Sequence, residues 1–125
     1  MSGRVFYNKL SRDGIPKKIQ ENKGEYEVRP IADDGEFQQE LLKKVKEEAG
    51  ALSSVRSRED FLSEYADLMV VLDTLTQLME FTEADIKLTL TENIEKKGGF
   101  KERLFLHWSS DTDYQSNETP QGIKS

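Results

Sequence analysis

The acidic residues of this chain that lie at helical spacing are the ones best suited to chemistry. Glu64 and Asp67 are three positions apart, so they project from the same face of a helix. Glu48 occupies a position in an earlier apolar stripe where the helical period calls for a hydrophobic residue. If the two helices pack antiparallel, we expect these three carboxylates to converge inside the bundle.

Such a cluster needs positive charge, because burying uncompensated carboxylates is costly. No lysine or arginine lies between Glu59 and Ile86, so ion pairs along this helix cannot supply that charge. A hard divalent cation supplies it through oxygen ligands; we expect Mg²⁺, with Mn²⁺ as a possible substitute. The predicted metal ligands are Glu48, Glu64 and Asp67. The alternative is an ordinary solvated face, since Glu-x-x-Asp pairs are common on helices.

Four helices are predicted to position these residues. The first runs from about 14 to 22, the third from about 59 to 80 and the fourth from about 83 to 97, and the second carries an apolar stripe from Phe37 to Leu52. N-caps are expected at Asp13, at Asp33 or Asp34 for the second helix, and at Thr82. The third is apolar on nearly all sides, which is typical of a helix at the centre of a bundle or against a second subunit. Segments 25–31 and 103–108 are predicted as short strands. The fold class is therefore a mainly α helical bundle with one or two short edge strands.

Composition sets limits on the function. The 125 residues fit one domain, which we place at 1–108 and follow with a polar tail at 109–125. The net charge of −6 disfavours binding to extended nucleic acid. No apolar run approaches the roughly 20 residues that span a bilayer, so we expect no membrane insertion. The chain has no cysteine and no signal-peptide pattern, and a cytoplasmic location is the expectation.

Several motifs together resemble a known family. The segment Tyr7-Asn8-Lys9-Leu10-Ser11-Arg12-Asp13-Gly14-Ile15-Pro16 is similar to the opening Asn-Lys-Leu-x-Arg-Asp-x-Ile-Pro motif of short MazG-like proteins, a subfamily related to phosphoribosyl-ATP pyrophosphohydrolase. It departs from that motif at Gly14, where lysine or arginine is usual. Glu47-Glu48, Glu64-x-x-Asp67 and Asn93-x-x-Lys96-Lys97-Gly98-Gly99-Phe100 follow in the family's order. The resemblance covers about residues 5 to 107.

The resemblance implies an all-α nucleoside triphosphate pyrophosphatase that assembles as a homodimer or larger homo-oligomer. Such enzymes use Mg²⁺ to cleave a nucleoside triphosphate to a monophosphate and pyrophosphate. The substrate-binding residues implied are Lys9, Arg12, Asn93, Lys96 and Lys97. The alternatives remain that Arg12 pairs with a surface acid and that the cations near residue 97 only stabilise a helix end. Glu47 and Glu48 are the candidates for positioning or deprotonating the attacking water.

One family position is altered. The family's Glu-Glu-x-x-Glu pattern falls on Glu47, Glu48 and Ala51, so the last acid is an alanine. Losing that carboxylate removes one oxygen ligand, although Mg²⁺ normally keeps several waters. Three hypotheses follow: a nucleotide pyrophosphohydrolase, a catalytically impaired relative that binds nucleotide or protein, and a structural helical dimerisation module. Ala51 favours the second, and the intact Glu64 and Asp67 favour the first.

Overall fold

Four α-helices form the framework of the protein. The computed structural model describes residues 3–110, and within that range it contains helices and no strand. In chain order they are α1 (Ile15–Glu21), α2 (Asp34–Ser53), α3 (Arg58–Leu78) and α4 (Glu83–Lys97). The prediction of a mainly α protein with four helices is confirmed.

The two longest helices begin at side-chain caps. The Asp33 carboxylate accepts a hydrogen bond from the backbone N–H of Glu36 at 2.8 Å, which starts α2. The Ser57 hydroxyl accepts one from the N–H of Asp60 at 3.1 Å, which starts α3. Each cap satisfies a donor that the first helical turn leaves open. The Asp33 cap agrees with the prediction.

The shorter helices show one predicted cap and one error. Before α4, the Thr82 hydroxyl accepts from the N–H of Asp85, whose carboxylate accepts from the N–H of Thr82 in return. Gly98, at φ +78°, follows the end of α4 in a conformation that favours glycine. The predicted cap at Asp13 is wrong, because the chain turns into α1 at Gly14 without any side-chain hydrogen bond.

The core lies between α2 and α3. Its buried side chains among residues 3–110 are Leu41, Val71 and Leu75, with Leu10, Phe37, Val45 and Leu78 packed partly against them. The four-residue connection at 54–57 makes the helices an antiparallel hairpin. Leu10 brings the segment before α1 onto this hairpin, which matters for the site described below.

The predicted edge strands are wrong. Neither 25–31 nor 103–108 is a strand, and Val28 in the first and Phe105 in the second are exposed. A strand is stable only when its backbone groups pair with a neighbouring strand, and Pro30 also lacks a donor N–H. The alternation of apolar residues was therefore insufficient without a partner strand.

The chain divides into two units, the first ending at Lys87 and the second beginning at Leu88, so that the boundary falls within α4. The predicted polar tail at 109–125 lies, from residue 111 onward, outside the described residues. Within residues 3–110, no helix is both long and apolar enough to cross a membrane.

Candidate functional site

The three acidic residues predicted as metal ligands converge between α2 and α3. One carboxylate oxygen from each of Glu48, Glu64 and Asp67 lies within 4.8 Å of the other two. All three side chains are half-buried. The antiparallel hairpin explains the convergence, because a position late in α2 faces positions early in α3. We call these three residues the acidic cluster.

The donor set of the acidic cluster fits a hard divalent cation. Mg²⁺ binds oxygen at about 2.0–2.1 Å in an octahedron, so neighbouring and opposite oxygen ligands lie about 3 to 4 Å apart. Oxygens within 4.8 Å of one another reach that spacing with small side-chain rotations. Because the carboxylates are half-exposed, water and phosphate oxygens also have access to the remaining positions.

Glu48 shows the electrostatic effect of this crowding. Burial raises the pKa of Glu48 above its ordinary value, and the negative charge of Asp67 raises it further. Glu47 and Glu64 add smaller contributions in the same direction, while Lys44 acts in the opposite direction. A cation among the carboxylates would relieve this repulsion.

A basic residue from the start of the chain approaches the acidic cluster. The Arg12 Nη1 atom lies 3.4 Å from Asp67 Oδ1, and both side chains are about half-exposed. The structure therefore supports the alternative in which Arg12 pairs with an acid, and that acid is one of the predicted metal ligands. Although α3 itself carries no cation near Asp67, Arg12 supplies one from 55 residues earlier in the chain.

Glu47 lies next to the acidic cluster in sequence but has its own cations. Its Oε1 accepts from Lys9 Nζ at 2.5 Å, and its Oε2 lies 3.0 Å from Lys44 Nζ. These hydrogen bonds, first from Lys9 and then from Lys44, lower the pKa of Glu47 below its ordinary value. The bond to Glu47 in turn raises the pKa of Lys9. We call Lys9, Glu47 and Lys44 the lysine clamp.

Lys44 is the residue that sequence reasoning missed. Its side chain is only 13% exposed, which is unusual for a lysine, and its charge acts on both Glu47 and Glu48. The available signal was the spacing of Lys44 and Glu47, three apart on a helix. The sequence contains many such pairs, so spacing alone did not distinguish this one.

The remaining predicted residues lie elsewhere. Asn93, Lys96 and Lys97 belong to the C-terminal half of α4, in the second unit, and both lysines are in the last turn. Their role in phosphate binding stays a prediction. Ala51 lies one turn after Glu48 on α2 and is partly buried, at the position where the family pattern has an acid.

No protein-family model, curated protein or solved structure matches this chain.

Proposed function

We propose that the protein is a nucleotide pyrophosphohydrolase that uses Mg²⁺ to convert a nucleoside triphosphate to a monophosphate and pyrophosphate. The observation that carries this proposal is the convergence of Glu48, Glu64 and Asp67 within 4.8 Å, beside Lys9 and Arg12. Arg12 pairs with Asp67 of the cluster, and Lys9 bonds to Glu47, which is next to Glu48 in the sequence. The resemblance to MazG-like enzymes assigns a role to each of them.

The acidic cluster is the proposed metal site, with Glu48, Glu64 and Asp67 as ligands. When bound, a divalent cation supplies positive charge that stabilises the phosphates and makes water more acidic. Mn²⁺ has the same preference for oxygen ligands and is the expected substitute. Arg12, which is paired with Asp67 at 3.4 Å, is then placed to contact a phosphate oxygen.

The lysine clamp has two proposed roles. Lys9 and Lys44 bind phosphate, and Glu47 accepts a proton. Lys9 and Lys44 occupy both oxygens of Glu47, and a polyphosphate chain with its higher charge competes for these ammonium groups. Once a phosphate group binds the two lysines in place of Glu47, the ionised Glu47 carboxylate is accessible to water. Glu48 remains the second candidate for this role, although its position assigns it to the metal.

The proposed reaction balances without a further reactant. A water oxygen bonds to the α-phosphorus. The bond between the α-phosphorus and the oxygen that bridges the α- and β-phosphates breaks, and pyrophosphate leaves with the electron pair. Glu47 accepts the proton of the water. Asn93, Lys96 and Lys97 are proposed as additional phosphate-binding residues, and homodimeric or larger assembly is part of the same proposal.

A second function is favoured by one observation. Ala51 stands where the family pattern has an acid, on the same helix as Glu48. Without that carboxylate the site has one oxygen ligand fewer, as in a relative that binds nucleotide or a protein partner without hydrolysis. The acidic cluster still has three ligands, which is why hydrolysis is the leading proposal.

The test is pyrophosphate release from a panel of nucleoside triphosphates with Mg²⁺ or Mn²⁺. We expect activity in the wild type, loss of at least about a hundredfold in Asp67→Ala, and higher activity in Ala51→Glu. Asp73→Asn, which removes an exposed α3 acid outside the cluster, is the matched control. Inactive wild type with active Ala51→Glu would establish the impaired relative, and inactivity of all variants would contradict hydrolysis.

A further inference from the structure

Tyr7 is an exposed aromatic residue that has no part in the proposed reaction. Its side chain is 67% exposed and lies two residues before Lys9, in a segment without regular secondary structure. Apolar area stabilises a fold only when it leaves water, so a ring in this position contributes little to the stability of the chain. The surface of the ring is instead available to a ligand.

The Tyr7 ring lies beside the lysine clamp. The Lys9 Nζ atom is over the face of the ring, 5.8 Å from its centre, and the same atom donates a hydrogen bond to Glu47 Oε1 at 2.5 Å. An ammonium group within about 6 Å of the centre of an aromatic ring is attracted to it. A single ammonium group thus contacts both the ring and the carboxylate that we propose as the proton acceptor.

The backbone holds the Tyr7 ring near Lys9. Asn8, between them, has φ +47°, a left-handed conformation that asparagine adopts more readily than most residues, and the chain bends at Lys9. Leu10 then packs against the core between α2 and α3. The ring therefore belongs to a bend that is anchored to the core three residues later.

We propose that the Tyr7 ring stacks on the base of the nucleotide, and that it distinguishes a nucleoside triphosphate from a polyphosphate without a base. This inference rests on the proposed function, because Lys9 must bind phosphate for the base to reach the ring. In a nucleotide one sugar separates the α-phosphate from the base, a length comparable with the 5.8 Å between Lys9 Nζ and the centre of the Tyr7 ring. A phosphate at Lys9 thus brings the base to the ring.

Stacking on Tyr7 accepts a broad class of nucleotides. Every base has a flat π-face, so stacking on an aromatic side chain tolerates any of them. A purine covers more of the ring than a pyrimidine does and therefore removes more apolar area from water. We expect purine nucleotides to bind more tightly than pyrimidine nucleotides, with no selection by Tyr7 between adenine and guanine.

The experiment compares two ligands that differ in whether they carry a base. The probes are inorganic tripolyphosphate and the α,β-methylene analogue of ATP, in which carbon replaces the bridging oxygen and prevents cleavage, and each is titrated calorimetrically in the presence of Mn²⁺. Tyr7→Ala should weaken binding of the ATP analogue about tenfold and leave tripolyphosphate binding unchanged. Tyr7→Phe should bind both ligands as the wild type does, because it keeps the ring.

The matched control is Phe6→Ala. Phe6 is the adjacent aromatic residue and is 75% exposed, so this variant removes a similar ring from the same segment and leaves the ring over which Lys9 lies. It should bind both ligands as the wild type does. The α,β-methylene analogue of CTP, titrated in the same way, should bind the wild type more weakly than the ATP analogue.

The outcomes separate this inference from the proposed function. Equal weakening of both ligands in Tyr7→Ala would mean that the ring only positions Lys9, and unchanged binding of both would mean that the ring does not touch the base. Either result overturns the stacking role and leaves the phosphate site standing. A wild type that does not bind tripolyphosphate with Mn²⁺ would contradict the proposed function itself, together with the stacking that depends on it.

Discussion

Glu47 and Glu48 are neighbours in sequence, yet they lie in opposite electrostatic surroundings. Glu47, in the lysine clamp, has a lysine on each carboxylate oxygen, and these lysines lower its pKa. Glu48, in the acidic cluster, is close to two other carboxylates, and burial and Asp67 raise its pKa. Hydrogen bonds from two lysines dominate at Glu47, whereas at Glu48 the effects of burial and of Asp67 exceed the opposing effect of Lys44.

From this difference we infer where an external cation would bind. The lysine clamp is already neutralised, so a metal ion would have to displace ammonium groups there. The acidic cluster has three carboxylates, and the cation described next to it is Arg12, 3.4 Å from Asp67. Adding a divalent ion to the acidic cluster removes repulsion, whereas adding one to the lysine clamp creates it. Four predictions test this comparison, from the largest expected effect to the smallest.

The largest effect is expected from removing two charges of the acidic cluster. At Mn²⁺ one hundred times above its dissociation constant, binding to the folded state should stabilise the wild type by about 2.7 kcal/mol. In Glu64→Gln/Asp67→Asn the same Mn²⁺ concentration should give almost no stabilisation. Thermal unfolding with and without Mn²⁺ measures this. The exposed acid Asp73 is on the opposite side of α3, so Asp73→Asn should respond as the wild type does; equal responses of all three proteins would refute the site.

Adding a fourth acid at position 51 should strengthen the acidic cluster. Ala51→Glu places a fourth carboxylate one turn after Glu48, and we expect Mn²⁺ affinity to rise roughly tenfold because ligand charge sets affinity. Without metal the same change should lower the melting temperature, since it adds like charge. Ala49→Glu adds the same charge at an exposed α2 position and controls for net charge. Affinity that rises equally in both variants would show a non-specific charge effect.

Neutralising Glu47 and Glu48 should have opposite effects on metal-free stability. The folded protein holds the Glu48 proton more tightly than the unfolded chain does, so ionisation of Glu48 costs stability as pH rises through its raised pKa. At pH 7, Glu48→Gln should therefore raise the melting temperature. The gain should vanish below the ordinary glutamate pKa of about 4.3.

For Glu47 the stability of the folded protein changes with pH in the opposite direction. Its folded pKa is lowered, so its contribution to stability is present above the ordinary pKa and is lost as pH falls through the lowered one. Glu47→Gln should therefore lower the melting temperature at pH 7 and have little effect in acid. Melting curves of both variants between pH 3 and pH 7.5, at roughly unit intervals, give the comparison. Shifts of the same sign at pH 7 would mean that the two surroundings do not differ as described.

The smallest effects are expected from the lysines. Exposed ion pairs contribute about 0.2–1 kcal/mol, and Lys9 is 46% exposed. Lys44 is 13% exposed, so Lys44→Ala should cost more than Lys9→Ala because it also loses packing of the side-chain stem. Urea unfolding at low and high salt separates the stability contributions of the two lysines, since salt should reduce the contribution of Lys9 more. A larger loss for Lys9→Ala would contradict this ranking.

The helices and the acidic cluster were predictable because each depends on signals that are local in sequence. The cap at Asp33 and the apolar stripe of α2 lie within one helix, and Glu64 and Asp67 share a face by spacing alone. One further assumption, antiparallel packing of α2 on α3, was enough to bring Glu48 to them. A short connection between two amphipathic helices makes that assumption safe.

The errors and omissions concern contacts between distant parts of the chain. The ion pair of Arg12 with Asp67 joins residues 55 positions apart, and that of Lys9 with Glu47 joins residues 38 apart. The periodicity of apolar residues within a helix does not reveal such pairs. The expected strand at 25–31 failed for a related reason, since a strand depends on a partner that the segment itself does not specify.

The most direct test of the account is calorimetric titration of the metal-free protein with Mn²⁺. We predict saturable binding of one ion per chain in the wild type and no measurable binding in Glu48→Gln/Glu64→Gln/Asp67→Asn, with circular dichroism showing unchanged helix content. Binding to Glu47→Gln should persist, because Glu47 belongs to the lysine clamp. Absence of binding in the wild type, or undiminished binding in the triple variant, would contradict the assignment of the acidic cluster as a metal site.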